Sequence, residues 1–82
     1  MFHAYVIYSV LFDRYYKGHC SDLKRRLDGH NSGNTKSTRN FRPWILVYSE
    51  SFTMLEEAIK REKYYKTAAG RRFLKSMIKR PQ

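Results

Sequence analysis

Two short runs of the chain are apolar at almost every position. Residues 3–11, HAYVIYSVL, and residues 44–49, WILVYS, are dominated by β-branched and aromatic side chains. That composition predicts strands covered on both faces. Phe12-Asp13-Arg14 reads as a tight turn and residues 15–19, YYKGH, as a second strand, so residues 3–19 form a hairpin. The spacing then changes to that of a helix. Ser21 is the expected N-cap, Asp22 lies in the first turn, and Leu23 and Leu27 supply an apolar stripe to about residue 29. Residues 31–43, NSGNTKSTRNFRP, carry Gly, Asn, Ser and Thr with three basic residues. A loop of that length in so small a domain is expected to be functional or mobile.

Thr53-Met54-Leu55-Glu56 matches a capping box, so a second helix opens at Thr53 with Leu55, Ala58, Ile59 and Tyr65 facing inward. Gly70 reads as a break. Residues Arg71 to Lys79 predict a third helix with Phe73, Leu74, Met77 and Ile78 on one side and Pro81 as its stop. The order is β-β-α-β-α-α. The expected architecture is one α/β domain over residues 1–82, a small three-stranded sheet flanked by helices. No repeat or linker divides the chain.

One residue breaks the pattern. Glu62 is three residues after Ile59, four after Ala58 and seven after Leu55, so it shares their face rather than that of Glu57, Lys60 and Lys63. An inward carboxylate needs a partner. It either pairs with a nearby Arg or Lys or holds a divalent cation against a phosphate.

Charge gives that choice a context. Seventeen Lys and Arg against seven Asp and Glu leave a net charge of +10. A domain this basic, with seven Tyr, five Phe and one Trp, is a nucleic-acid candidate before anything else. No apolar run approaches the roughly 20 residues that cross a bilayer, so no membrane partner is expected. Met1-Phe2-His3-Ala4 lacks the basic region of a signal peptide. Cys20 is the single cysteine, which excludes an internal disulfide and fits a reducing compartment, by default the cytoplasm.

Chemistry-bearing side chains gather around this frame. Arg26 and His30 are four apart on the first helix and share a face. Tyr5 and Tyr16 lie on adjacent hairpin strands and can project to one side. Two phenols, a guanidinium, an imidazole and the Glu62 carboxylate suit phosphodiester cleavage. Each has a plainer reading: strand tyrosines fill cores, Lys24-Arg25-Arg26 is a solvated run, and a helical histidine is often a polar surface residue.

Taken together the residues resemble the GIY-YIG nuclease family, and within it the small single-domain bacterial members of URI type. The resemblance runs through Tyr5-Val6-Ile7, Tyr16-Lys17-Gly18 and Ser21-Asp22-Leu23-Lys24-Arg25-Arg26-Leu27 with His30-Asn31-Ser32-Gly33. It continues through Thr38-Arg39 with Pro43, then Leu46-Val47-Tyr48-Ser49-Glu50, and closes on Glu57-Ala58-Ile59-Lys60-Arg61-Glu62. It covers about residues 3–80. The first motif reads His3-Ala4-Tyr5, without its glycine and isoleucine, and the second has Lys17 at its centre.

The resemblance implies a mixed sheet with flanking helices and metal-dependent DNA cleavage. Carried over by position, Tyr5, Tyr16, Arg26, His30 and Glu62 are the expected catalytic residues, with Glu62 the ligand for Mg2+ or Mn2+. Lys17, Lys24, Arg25, Lys36, Arg39 and Arg42 are the expected contacts to the nucleic-acid backbone. Phe41 or Trp44 is a candidate to stack on an unpaired base, although Trp44 also suits the core. Without an attached DNA-binding module, cleavage is expected to be weakly sequence-specific or structure-selective. Two other readings stay open. One is a feebly active module that binds branched or single-stranded DNA or RNA. The other is a basic RNA- or ribosome-associated protein.

Overall fold

The computed structural model describes residues 1–78. Strand β1 (Phe2–Ser9) runs into a turn over residues 10–13 and returns as β2 (Arg14–Cys20). Helix α1 (Leu23–Asn31) follows, then a loop ending in a short 3-10 turn at Arg39–Phe41. Strand β3 (Trp44–Phe52) leads to helices α2 (Leu55–Tyr65) and α3 (Ala68–Met77). The expected element order is therefore found.

The sheet order is β2-β1-β3, and β1 is antiparallel to both neighbours. The sheet is thus antiparallel throughout rather than mixed. Helix α1 carries the chain back so that β3 enters in the same direction as β2. But β3 docks on the far side of β1, and no parallel pair is ever in contact.

As the central strand, β1 feeds two cores. Ala4 and Val6 pack with Tyr65 and Leu74 under α2 and α3. Tyr5 and Ile7 pack with Trp44, Tyr16, Leu23 and Leu27 under α1. This explains why β1 is apolar at successive positions. The same expectation fails for β3. It is an edge strand, and Ile45 and Leu46 are 39% and 40% exposed.

Local signals shift by a residue or more. The α1 N-cap is Asp22, not Ser21, because the Asp22 carboxylate reaches the Arg25 backbone N–H at 3.1 Å. Helix α2 starts after Met54, not at Thr53. Glu57, not Glu56, folds back to accept from the Met54 N–H at 3.1 Å and from the Thr53 hydroxyl at 3.4 Å. Leu55 and Met77, expected inward, are 39% and 51% exposed. The expected end of α3 at Lys79 and the stop at Pro81 lie outside the described residues.

Gly70 is not the helix break. The break falls at Lys66-Thr67, where the Thr67 hydroxyl accepts from the Gly70 N–H at 3.0 Å. Gly70 is buried inside α3, and a Cβ there would overlap the Tyr64 carbonyl and crowd the Tyr65 Cα. The backbones of α2 and α3 touch at this point, and only hydrogen fits between them. Beside this contact, Arg61 lies over the rings of Tyr64 and Phe73 and pairs with Glu50 at 2.7 Å. Gly70→Ala is expected to destabilise the protein by about 3 kcal/mol, the upper range for overpacking at a site with backbone on the other side. Urea unfolding followed by circular dichroism measures it. A loss below about 0.5 kcal/mol would show that the two helices can slide apart freely.

Candidate active site

Tyr5 points from β1 toward α1 with its ring 2% exposed. Its hydroxyl lies between two residues of α1: Arg26 Nε at 3.2 Å and His30 Nε2 at 2.9 Å. Helical spacing of four puts both partners on the face that meets the sheet. Gly18, opposite Tyr5 in β2, makes room for this arrangement. A Cβ at that position would lie 2.5 Å from the Tyr5 hydroxyl.

The direction of each hydrogen bond can be worked out from one fixed acceptor. The Thr35 carbonyl accepts from the Thr38 hydroxyl at 3.4 Å. The Thr38 oxygen then accepts from His30 Nδ1–H at 2.8 Å. His30 Nε2 is left as a lone pair and accepts the Tyr5 proton. The Tyr5 oxygen is free to accept from Arg26 Nε–H. The four groups form one chain of donors that ends in an exposed guanidinium.

Protonation follows from this burial. His30 and Thr38 are fully buried. Burial pushes the His30 imidazole down to about 4, and the neighbouring Arg26 charge acts the same way. Burial pushes Tyr5 up to about 12, against the opposing pull of Arg26. Arg26 is raised, first by its hydrogen bond to Tyr5 and further by Tyr16. At neutral pH the site holds a neutral imidazole, a neutral phenol and one fixed positive charge.

Tyr16 completes this side. It is half-buried, with its ring 5.0 Å from that of His30 and 6.5 Å from that of Trp44. Trp44 is core, at 3% exposure. Its indole N–H donates to the Thr38 carbonyl at 2.9 Å, and its backbone exchanges bonds with the Asn31 amide at 2.6 and 2.9 Å. Helix, loop and β3 are fastened together there.

Glu62 stands apart from this chain. It is on α2 and half-buried, with its side chain 17% exposed. One oxygen accepts from His19 Nδ1–H and the other from Lys66 Nζ, each at 2.7 Å. Burial alone would raise the Glu62 carboxyl, but these two bonds outweigh it and hold it below the usual range. The inward carboxylate is thus paired with one cation, Lys66, and hydrogen-bonded by one imidazole, His19. In the strand register His19 faces the side opposite to Gly18 and Tyr16. Edge strand β2 therefore carries the Tyr16–Arg26 group on one face and the Glu62–His19 pair on the other. Lys17 shares the Glu62 side, and burial with nearby Arg71 and Lys66 lowers its pKa.

Among the described residues no group of three His, Cys, Asp or Glu is placed to hold a metal. One carboxylate suits a hard cation that keeps most of its waters, such as Mg2+, and not a zinc site. Lys24, Arg25, Lys36, Arg39 and Arg42 are all exposed, and none takes part in the three ion pairs of the described residues. Sequence reasoning noticed Thr38 only as part of a loop motif. It missed His19 and Lys66 as partners of Glu62. Lys66 was findable from its spacing of four. His19 is 43 residues away and left no local signal.

A family model described as the GIY-YIG catalytic domain matches residues 1–75. A UPF0213 protein of Halobacterium salinarum is 41% identical over 63 residues, 76% of this chain and 80% of that one. A UPF0213 protein of Streptococcus agalactiae serotype V is 44% identical over 52 residues, 62% of this chain and 59% of that one, so the match spans little more than half of that relative. The solution NMR structure of a UPF0213 protein from Bacillus halodurans superimposes with a TM-score of 0.53 at 32% identity, covering 93% of this chain and 84% of that one. No helix of the described residues is long and apolar enough to cross a membrane. The order of the elements agrees with these matches, and the chain belongs to the GIY-YIG family of nuclease domains, alongside the UPF0213 proteins.

Proposed function

We propose that this chain is a divalent-metal-dependent endonuclease that hydrolyses DNA phosphodiester bonds, with weak sequence specificity or selectivity for DNA structure. The observation that carries the reading is the donor chain Thr38–His30–Tyr5–Arg26. It spends three buried groups on fixing the direction of one exposed guanidinium next to a half-buried phenol. A preorganised guanidinium supports charge building on a phosphate in the transition state.

The geometry supports the following roles. Arg26 clamps the phosphate. Tyr16 orients the attacking water or takes its proton, since Tyr5 already donates its proton to His30. Tyr5 and His30 position Arg26, and both His30 nitrogens are used within the protein. Glu62, on the other face of edge strand β2, would hold Mg2+ or Mn2+, which when bound would supply positive charge for the hydrolysis. Its oxygens would then exchange the Lys66 and His19 bonds for that ion. Lys17, Lys24, Arg25, Lys36, Arg39 and Arg42 bind the DNA backbone, a salt-sensitive contact.

A second reading has its own support. Glu62 already has a hydrogen-bonding partner on each oxygen, as a structural residue would. A module that binds DNA or RNA without cleaving it would need no more than that.

Cleavage of labelled supercoiled, single-stranded, flapped and branched DNA in Mg2+ or Mn2+ separates the two. Glu62→Ala is expected to abolish cleavage while binding in chelator stays within about twofold. Arg26→Ala is expected to cost about a hundredfold or more in rate, the scale for one lost transition-state donor. Salt-sensitive binding without any cleavage by the wild type would favour the binding module, and preference for RNA at matched salt would favour an RNA partner.

The His30 environment gives a separate expectation. A histidine near 6.5 when unfolded and about 4 when folded binds its proton more readily in the unfolded state. Its contribution to stability is full above the unfolded value and is lost as pH falls toward 4. Wild type is expected to lose about 2 kcal/mol more than His30→Gln between pH 7 and pH 5. Urea midpoints at the two pH values measure it, and equal losses would mean that His30 binds its proton as readily folded as unfolded.

A further inference from the structure

The turn joining β1 to β2 presents Val10, Leu11 and Phe12 to solvent at 50%, 73% and 49% exposure. Three adjacent exposed apolar residues are unusual on a chain of net charge +10. The tip is also held in place. The Tyr8 hydroxyl donates to Asp13 at 2.7 Å, the rings of Tyr8 and Tyr15 lie 4.7 Å apart beneath it, and Asp13 takes a φ of +52°. Aspartate tolerates that left-handed conformation.

The tip faces basic and aromatic neighbours. Phe12 sits edge-on to Phe41 at 5.4 Å, and Arg14 lies 4.2 Å over the Phe41 ring. Between the tip and the loop after α1 is an open cleft of about 570 Å3, walled by Leu11, Phe12 and Pro43 and by Arg39 and Arg42. No carboxylate lines it. Its size suits a nucleoside-sized group. Arg14 and Tyr16 point to the same face of β2, two residues apart, which sets the tip about 7 Å along the strand from the proposed reaction centre.

We infer that this hairpin tip is a stacking wedge for an unpaired DNA base beside the phosphodiester that Tyr16 and Arg26 address. The inference rests on the nuclease reading for that phosphodiester. It supplies what that reading lacks, a feature that selects nicks, flaps or junctions over paired duplex. Exposed apolar side chains slip between bases where stacking is already broken, and the flanking arginines hold the adjacent phosphates. A lipid surface fits less well. Phe12 forms the wall of a cleft with guanidinium donors, which match phosphates and base edges, rather than projecting alone.

The test is binding of labelled flapped and fully paired DNA of equal length in chelator, by wild type and by the double variant L11S/F12S. Leu11 is exposed and Phe12 about half so, and the variant is expected to fold with its unfolding midpoint lowered only by the lost Phe12–Phe41 ring contact. Wild type should prefer flapped DNA by about tenfold, and the double variant should lose that preference while binding duplex within about twofold. Arg39→Ala should weaken both DNAs and lower the salt dependence by about one ion. A retained preference, an equal loss on both DNAs, or a loss of binding to phosphatidylserine vesicles alone would overturn the wedge. Cleavage measured alongside in Mg2+ keeps the two proposals apart. Cleavage with unchanged preference in the double variant removes only the wedge. Preference lost in the variant with no cleavage by wild type upholds the wedge and removes the nuclease.

Discussion

The hydrogen bond between Tyr5 and His30 ties the molecule together at its centre. Tyr5 belongs to the strand that both other strands need, and His30 to the helix that covers one face. Without it the Tyr5 hydroxyl that accepts from Arg26 loses one of its two partners, and the His30–Thr38 pair loses its link to the sheet. The close approach of Gly18 serves the same contact, because it leaves a space that only the phenol fills. A polar chain enclosed in a small core is costly unless each member is satisfied. Here each has its partner, so the chain stiffens the site.

The sheet divides the charges. On one side of β2 the exposed guanidinium is stiffened by neutral groups. On the other a carboxylate is paired with Lys66 and hydrogen-bonded by His19. The arrangement keeps Glu62 ionised and close to the surface. It also means that any cation competing for Glu62 displaces an existing partner rather than filling a void.

Much of this could be read in the chain. The expectation that β1 is covered on both faces holds, because a strand covered twice must be apolar at successive positions. Glu62 stood out for the opposite reason, a charge among apolar neighbours, and Arg26 and His30 shared a face by simple helical spacing. What could not be read depends on distance in three dimensions. Ile45 and Leu46 look like core by type, yet β3 lies at an edge. Gly70 looks like punctuation, but it is the point where two helices touch. His19 gave no hint of Glu62, since strand and helix meet only after folding. Thr38 sat in a loop whose composition suggested solvent, and it is buried between His30, Trp44 and Thr35, partners that meet it only after folding.

Trp44 is the chain's single tryptophan, and its indole nitrogen is bonded to the carbonyl of Thr38. That places the protein's own fluorophore on the segment that holds His30, with the Tyr16 ring as its neighbour. Indole emission responds to the polarity around it. The molecule therefore carries a built-in optical reporter of whether this loop is seated, legible without any attached label.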